Sequence, residues 1–329
     1  MNKLKVASLF SGCGGLDLGF EGGFSIPKAL LRPEDIKNWA EETSDHNFVK
    51  LKKTCFETIF ANDIEKFAKI TWSNFFKKRD ESVFHLDSIV SLVKRERAED
   101  SALPQDVDAV IGGFPCKDFS IAGKRNGRFS HKSHDNKYIS TDENLDDNRG
   151  MLYYWMAEAI GIMKPKMFIV ENVEGLLSMP EALNEIEETF RHCGDGYSIQ
   201  RRLLHTADFG VPQSRKRLVF IGVRQDFSVP KNLSLFPKET HRNSNETLFF
   251  NGPKWNRCKE VLLDLKEPED AIDESQKARS KAKRNKGQGN NEINLNGLAP
   301  TIRAEHHGNI EFRRLGKDNQ GKYTEELDR

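Results

Sequence analysis

The sequence has no long hydrophobic run, and no stretch approaches the roughly 18 apolar residues that a membrane-spanning helix needs. It shows no amino-terminal secretory signal, and its five cysteines are an odd number. Its charge is balanced, with 51 Lys and Arg against 50 Asp and Glu, so net charge argues neither for nor against a nucleic-acid partner. These absences predict a soluble, cytoplasmic protein with free thiols and no membrane association.

The sequence also lacks Cys and His residues at the spacings that are typical of metal sites. His306-His307 has no further ligand at a suitable distance in the sequence, and no Cys-x-x-Cys pair occurs among the cysteines at positions 13, 55, 116, 193 and 258. We therefore predict no metal site. The 329 residues are enough for a large core and, at usual domain sizes, for two domains.

The amino terminus has the pattern of a strand, a glycine turn and a helix. Residues 6–10 are a predicted strand, residues 12–15 a tight turn, and an amphipathic helix with Leu16, Leu18 and Phe20 follows. This order is typical of the start of a nucleotide-binding unit. The spacing Gly-x-Gly-Gly does not specify a pyrophosphate, and a plain turn between strand and helix is an equally good interpretation.

Acidic residues follow the next two predicted strands. Residues 58–61 lead into Asn62-Asp63, and residues 82–86 lead into Asp87. An acid after the second strand can accept hydrogen bonds from both ribose hydroxyls, and the next acid is placed for an adenine amino group. Because no phosphate site is indicated, the pattern favours S-adenosylmethionine over a nicotinamide cofactor.

Residues 109–122, AVIGGFPCKDFSIA, place a cysteine after a short strand. Gly112-Gly113 permits close approach of a ligand, and Pro115 restrains the backbone directly before Cys116. Open α/β sheets bind ligands at the carboxyl ends of their strands, so a thiolate here is a candidate nucleophile. A lone cysteine at a strand end is more often a small buried apolar residue. The cysteine turn alone does not decide between these interpretations.

Two later predicted strands have charged ends. Residues 167–170 lead into Glu171, and three polar residues precede the strand at 218–223: Gln213, Arg215 and Arg217. Taken singly, the glutamate could cap a helix and the arginines could be solvated. Taken together with the cysteine turn, they predict groups that converge on one crevice.

In their order, these motifs resemble those of cytosine-5 DNA methyltransferases of the bacterial restriction-modification type. The matching segments are FSGCGGLDLGF at 10–20, Asn62-Asp63, Asp87, GGFPCKDFS at 112–120, RGMLY at 149–153, ENVEGL at 171–176, FGVPQSRKR at 209–217 and APTIRAEHHG at 299–308. The resemblance is specific because so many motifs occur together. It implies an α/β fold with a doubly wound, mainly parallel, Rossmann-like sheet and a small irregular target-recognition domain.

The resemblance also implies a division of the chain. Residues 1–225 would form the catalytic and cofactor-binding domain, 226–296 the target-recognition region and 297–329 a return segment. Within the first of these, residues 32–53 are a charged insert, for which we predict a surface helix.

The implied activity is methyl transfer from S-adenosylmethionine to carbon 5 of a flipped-out cytosine in a specific duplex DNA sequence, which would protect host DNA from a cognate restriction enzyme. By resemblance, Cys116 is the nucleophile that attacks carbon 6. Glu171 would protonate ring nitrogen 3. Arg217, helped by Arg215, would hold the cytosine carbonyl.

The resemblance assigns binding residues too. The cofactor would contact Phe10, Gly12, Cys13, Gly14, Gly15, Asp63, Ile64, Asp87, Ser88, Pro115 and Leu152. DNA would contact Ser120, Lys124, Arg125, Gln213, Lys281, Lys283, Arg284 and Arg303. Residues 277–286, KARSKAKRNK, hold six basic side chains, and their place in the target-recognition region predicts phosphate contacts, although such runs are usually only solvated.

One departure from the family pattern concerns residues 324–329, which stand where the last family segment would begin. In the family that segment returns to the first domain and completes the cofactor pocket. The departure predicts either a truncated product or a second polypeptide that supplies the segment. We otherwise expect a monomer.

Two rival functions remain open. One is an RNA cytosine-5 methyltransferase on the same scaffold, and the other is a catalytically silent or half-enzyme DNA-binding subunit. The sequence Phe114-Pro115-Cys116 and the basic run favour DNA, because the RNA-acting branch of the family typically has a different dipeptide before its cysteine.

Overall fold

The structure is a computed structural model that describes residues 3–42, 45–76, 81–115, 149–230, 232–243, 252–262, 294–301, 313–317 and 323–328. Its strands are β1 Leu4–Leu9, β2 Ser25–Pro27, β3 Phe48–Lys50, β4 Phe56–Asp63, β5 Phe84–Leu86, β6 Ala109–Gly112, β7 Met167–Val173, β8 Tyr197–His205, β9 Lys216–Arg224, β10 Arg313–Lys317 and β11 Tyr323–Asp328. Its helices are α1 Gly15–Glu21, α2 Pro33–Trp39, α3 Lys66–Phe75, α4 Ile89–Arg97, α5 Leu152–Met163, α6 Pro180–His192 and α7 Lys259–Leu262.

The central sheet has seven strands in the order β5-β4-β1-β6-β7-β9-β8. The first five strands in that order pair in parallel, and β9 runs antiparallel to β7. Parallel neighbours need crossover connections, which α1, α3, α4 and α5 provide. The predicted doubly wound, mainly parallel α/β sheet is confirmed.

Neighbouring residues of the central strands face opposite sides of the sheet. Ala7 and Val110 join the buried cluster that contains residues of α4, α5 and α6. Val6 and Ala109 pack on the other side, with Phe20 of α1. Because both faces are covered, these strands are continuous apolar runs, which explains why short apolar runs were sufficient to locate them.

Several strands differ in length from the apolar runs that predicted them. β4 continues through Asp63, which pairs with Leu86, and β7 continues through Val173. Asp63 and Glu171 therefore still belong to the sheet instead of following it. β5 begins later than predicted, because a short 3-10 helix occupies Glu81–Val83.

Helix α1 buries a carboxylate where the sequence predicted leucine. Asp17 is 0% exposed, whereas Leu16 is 37% exposed. Ser8 Oγ donates a hydrogen bond of 2.9 Å to Asp17 Oδ2, and Trp72 Nε1 donates one of 3.2 Å to Oδ1. Burial raises the pKa of Asp17, while these two donors act in the opposite direction. The amphipathic interpretation holds for Phe20 and is wrong for Leu16.

The contacts divide the chain into two compact units. Unit 1 comprises Met1–Phe24, Lys50–Leu204 and Lys216–Pro237 and contains the seven-stranded sheet. Unit 2 comprises Ser25–Val49, His205–Arg215 and Lys238–Arg329, with α2, α7 and the β10–β11 hairpin. Within the part of the chain that the structure describes, no helix is long and apolar enough to cross a membrane.

The charged insert predicted as a surface helix is helical only at Pro33–Trp39 and then returns as β3. Asp35 is 6% exposed. Arg32 pairs with it through two hydrogen bonds, from Nε at 2.6 Å and from Nη2 at 2.8 Å, and the bond from Arg32 is the main reason why the pKa of Asp35 lies below its usual range. Asp35 is the one buried residue of α2, whereas Pro33, Glu34, Lys37, Asn38 and Trp39 are exposed. The predicted surface helix is therefore confirmed over Pro33–Trp39.

Candidate active site

The predicted site residues fall into three groups. Unit 1 contains Phe10, Gly12, Cys13, Gly14, Gly15, Asp63, Ile64, Asp87, Ser88, Pro115, Leu152, Glu171 and Arg217. Unit 2 contains Gln213 and Arg215. Outside the described residues lie Cys116, Ser120, Lys124, Arg125, Lys281, Lys283, Arg284 and Arg303.

An ion pair joins Glu171 and Arg217 at the carboxyl end of β7. Because β9 is antiparallel to β7, its first residues lie beside the last residues of β7, and Arg217 is opposite Val173. Arg217 Nε lies 2.6 Å from Glu171 Oε1, and the two side chains are 22% and 28% exposed. The structure thus brings two predicted catalytic residues into direct contact, partly withdrawn from water, where a charge-assisted hydrogen bond is strengthened.

The turn after β6 packs against the same end of β7. A β-carbon built on Gly113 would lie 2.9 Å from Glu171 Oε2 and 3.1 Å from the Glu171 carbonyl oxygen. Phe114 is 3% exposed, and its carbonyl accepts a long hydrogen bond of 3.4 Å from the Asn172 amide. The absence of a side chain at Gly113 therefore leaves space for Glu171. The sequence had predicted that this glycine allows a ligand to approach. The described part of the turn, up to Pro115, is held beside the glutamate.

The glycine turn after β1 is tied to the end of β4. Gly12 N donates to Asp63 Oδ2 at 2.9 Å, and Ser11 N donates to the Asn62 carbonyl at 2.8 Å. Phe10 has a φ of 51°, a left-handed conformation that costs a non-glycine residue about 1 kcal/mol or more. Such strain persists where the surroundings impose it, and it is concentrated at binding and catalytic sites.

The acid after β5 lies at the start of α4. Asp87 Oδ1 accepts a hydrogen bond of 2.7 Å from Ser88 N, and Oδ2 lies 3.4 Å from Arg95 Nη1. The Ser88 hydroxyl accepts from Val90 N at 3.2 Å and caps α4, and Ser88 is only 3% exposed. In this structure the Ser88 side chain serves the helix, and its contact with a cofactor stays a prediction.

Apolar side chains accompany the two acids. Ile64 is 40% exposed and Leu86 is 44% exposed, Phe10 is half-buried, and Leu152 is buried at the start of α5. Carboxylates that can accept hydrogen bonds, next to accessible apolar groups, suit a ligand with hydroxyl and amino donors and a flat base. The residues present therefore fit the adenosine part of S-adenosylmethionine. Among the described residues, no group of three or more His, Cys, Asp or Glu could hold a metal ion.

Gly14 closes the glycine turn against α3. It has a φ of 88°, and a β-carbon there would lie 2.8 Å from ring atoms of both Trp72 and Phe76. A β-carbon on the next residue, Gly15, would meet no atom within 4 Å. The turn is thus shaped by two aromatic rings as well as by its glycines.

We expect Gly14→Ala to lower the free energy of unfolding by about 2–4 kcal/mol, because it adds left-handed strain and an overpacked methyl group. The matched control Gly15→Ala should raise it by up to about 1 kcal/mol, since alanine favours a helix. Urea unfolding of the three proteins measures both. Equal stability of the two variants would show that the rings do not constrain the turn.

In unit 2, residues 212–214 of the FGVPQSRKR motif pair with Ala299, the first residue of the APTIRAEHHG motif. Ser214 N donates to the Ala299 carbonyl at 2.7 Å, and Ala299 N donates to the Pro212 carbonyl at 2.9 Å. Gln213 forms a parallel bridge with Ala299. The Arg215 carbonyl accepts a hydrogen bond of 3.0 Å from Thr206 N. These bonds join two segments that lie about 85 residues apart in the sequence.

Comparison with known proteins gives consistent matches. The sequence profile described as C-5 cytosine-specific DNA methylase matches residues 4–326. The chain is 34% identical over 242 residues to type II methyltransferase M.BsuRI of Bacillus subtilis, covering 73% of this chain and 47% of that protein. It is 32% identical over 248 residues to M.NgoFVII of Neisseria gonorrhoeae, covering 74% and 50%. It is 30% identical over 253 residues to M.AquIA of Picosynechococcus sp., covering 74% and 79%.

The chain spans about half the length of the first two relatives. The family profile, in contrast, extends over nearly the whole chain. On that evidence, this protein belongs to the C-5 cytosine-specific DNA methylase family.

Proposed function

We propose that this chain transfers a methyl group from S-adenosylmethionine to carbon 5 of a cytosine in a specific double-stranded DNA sequence. The ion pair between Glu171 and Arg217, beside the turn that leads to Cys116, is the observation that carries this proposal. An acid and a permanent cation held together are what the pyrimidine ring needs, because its nitrogen must gain a proton while its carbonyl gains negative charge. The names of the relatives support a methyltransferase.

The nucleophile in this proposal is Cys116. Its thiolate adds to carbon 6 of cytosine, and the ring electrons move toward carbon 5, which becomes able to attack a methyl group. Glu171, which is a carboxylate in its ion pair with Arg217, takes up a proton from water and passes it to ring nitrogen 3 as the carbon–sulfur bond forms. Arg217, with Arg215, stabilises the charge on the carbonyl oxygen. A base then removes the proton on carbon 5 while Glu171 takes back the proton of ring nitrogen 3, which breaks the carbon–sulfur bond and restores both the ring and the thiolate.

The methyl donor is held by the residues at the ends of β1, β4 and β5. S-adenosylmethionine supplies an electrophilic methyl group on its sulfonium. Asp63 accepts hydrogen bonds from the ribose hydroxyls and Asp87 from the adenine amino group, while Phe10 and Ile64 pack on the base. The remaining predicted contacts are those of Gly12, Cys13, Gly14, Gly15, Ser88, Pro115 and Leu152.

Asp63→Ala and Asp87→Ala should each weaken S-adenosylmethionine binding by about 1–3 kcal/mol, which is the usual cost of a lost hydrogen bond to a charged group. Calorimetric titration measures the affinity. The control is Asp106→Ala, because that side chain is 87% exposed and pairs with Lys5 at the opposite edge of the sheet, so its loss should leave affinity unchanged. Wild-type affinity in both test variants would mean that the cofactor binds elsewhere.

The proposed reaction requires that DNA present its cytosine outside the duplex. A cytosine stacked in a duplex cannot reach a thiolate on a protein turn, so the base must be flipped out. Ser120, Lys124, Arg125, Gln213 and Arg303 are proposed DNA contacts, and the basic residues of 277–286 are proposed to bind phosphates.

Replacement of Lys281, Lys283 and Arg284 by Ala should weaken binding to all duplexes alike, because phosphates carry no sequence information. The dependence of log affinity on log salt should become shallower by about 0.9 for each lost phosphate contact. Fluorescence titrations at several salt concentrations measure this slope. A slope identical to that of the wild type would mean that the basic residues of 277–286 are solvated and do not contact phosphates.

Transfer of tritiated methyl groups to duplex DNA and to tRNA tests the proposal as a whole. We expect labelled 5-methylcytosine in the DNA, and DNA methylated in this way should resist the cognate restriction enzyme whose action the modification blocks. Labelling of tRNA alone would indicate an RNA methyltransferase. DNA binding without labelling of either substrate would indicate a silent subunit.

A further inference from the structure

Asn62 is a buried polar residue that has no role in the proposed function. It is 1% exposed and immediately precedes Asp63 at the end of β4. Its side-chain nitrogen lies 2.7 Å from the Asp87 carbonyl oxygen and 3.2 Å from the His85 carbonyl oxygen. Since both carbonyls can only accept, the amide must present its two N–H donors to them.

The backbone of Asn62 is bound on its other side to the glycine turn. Asn62 N donates to Ser11 Oγ at 3.0 Å, and the Asn62 carbonyl accepts from Ser11 N at 2.8 Å. Ser11 Oγ in turn donates to the Ser8 carbonyl at 2.9 Å. One residue therefore connects the turn after β1, the end of β4 and the turn after β5.

The hydrogen bonds between β4 and β5 do not extend to Asp87. The register of β4 and β5 ends with Asp63 opposite Leu86, so Asp87 lies one residue past the last pair. The Asn62 amide supplies a hydrogen bond at that point and continues the link between the two strands. Two acceptors held at a fixed separation can bind a rigid ligand without the cost of ordering themselves.

We infer that Asn62 is a positioning residue for S-adenosylmethionine, which sets the separation of the Asp63 and Asp87 carboxylates through the hydrogen bonds of its amide. This inference rests on the proposed function, in which those two acids bind the adenosine group. It deepens that function, since recognition then depends on a side chain that is buried behind the ligand and does not touch it.

The test is calorimetric titration of the full chain with S-adenosylmethionine, in parallel with methyl-transfer kinetics. Asn62→Ala removes the two donors, and Asn62→Asp keeps the shape but offers an acceptor to two carbonyls. We expect both variants to bind S-adenosylmethionine about 5- to 20-fold more weakly, the scale of one or two lost hydrogen bonds. The turnover number at saturating cofactor should stay within about twofold, because the reacting groups are untouched.

Tyr197→Phe is the matched control. The Tyr197 hydroxyl is buried and donates a hydrogen bond of 2.9 Å to the Pro165 carbonyl, near the amino end of β7 and so at the opposite edge of the sheet. Its loss removes a buried hydrogen bond to a backbone carbonyl, as does the loss of the Asn62 amide. We expect the control to melt at a lower temperature and to bind S-adenosylmethionine as the wild type does.

A double-mutant cycle tests the route through Asp87. If Asn62 acts by placing that carboxylate, the loss of affinity in Asn62→Ala/Asp87→Ala should be smaller than the sum of the two single losses. Additive losses would overturn the inference. So would Asn62 variants with wild-type affinity and a melting temperature lowered as in the control.

Should neither Asn62 variant fold, Ser11→Ala removes the hydrogen bond from Asn62 N to Ser11 Oγ, which holds the backbone of Asn62 from the side of the glycine turn. This variant must then weaken binding for the inference to stand. A different result identifies a failure of the proposed function itself. If the wild-type chain binds no S-adenosylmethionine, both the proposed function and this inference are contradicted. If the wild type binds it tightly and the Asn62 and Ser11 variants have the same affinity, only the inference is contradicted.

Discussion

We expect Cys116→Ser to abolish methyl transfer to DNA and to leave S-adenosylmethionine affinity within about twofold of the wild-type value. Serine has almost the size of cysteine, but its hydroxyl stays protonated at neutral pH and cannot replace a thiolate. The rate should fall by about 10³ or more, as is usual when a covalent nucleophile is removed. Tritium transfer and calorimetry measure the two quantities.

Cys193→Ser is the control for that experiment. Burial raises the pKa of Cys193 to about 12, so this thiol is protonated at neutral pH and should be inert. The Cys193 variant should methylate DNA at close to the wild-type rate. Ordinary turnover by Cys116→Ser would eliminate this residue as the nucleophile, whatever the family pattern.

Glu171→Gln should lower the turnover number by about 10²–10⁴, the usual contribution of a positioned general acid. Glutamine keeps the shape of the side chain and can still accept a hydrogen bond from Arg217, but it cannot protonate ring nitrogen 3. The Michaelis constant for S-adenosylmethionine should change little, because the glutamate acts on the base and not on the methyl donor.

The neighbouring ion pair provides the control for the glutamate. Glu174 lies 3.4 Å from Lys216, and both side chains are 46% exposed, so the pair should contribute little. We expect Glu174→Gln to retain turnover within about twofold. A turnover number unchanged in Glu171→Gln would remove the acid from the mechanism.

The sequence predicted the centre of the sheet well because β1, β4 and β6 are largely buried on both faces. Runs such as residues 109–111 and 167–170 are apolar at every position, and they were found within a few residues of their observed ends. The ends were less accurate at Asp63 and Glu171, because a charged residue was taken as the end of a strand. Hydrogen bonding to a neighbouring strand decides where a strand ends, and a single sequence does not display it.

The residues that sequence reasoning missed act through partners far away in the chain. Asp17 was overlooked because an acid in an amphipathic helix is normally solvated, and its burial depends on Trp72, 55 residues later. Asn62 was noted only as the neighbour of Asp63, although a polar residue between an apolar strand and a functional acid is a signal that could have identified it. Gly113 was assigned to ligand approach because nothing local to it reveals that Glu171 packs there.

Covalent capture by DNA that contains 5-fluorocytosine tests the central claim most directly. Fluorine on carbon 5 cannot leave as a proton does, so the carbon–sulfur bond between enzyme and base should persist after methyl transfer. We expect one adduct in the presence of S-adenosylmethionine, and mass spectrometry of its peptides should locate the DNA on Cys116. Methylation of ordinary DNA without capture, or capture through the exposed Cys13, would contradict the mechanism.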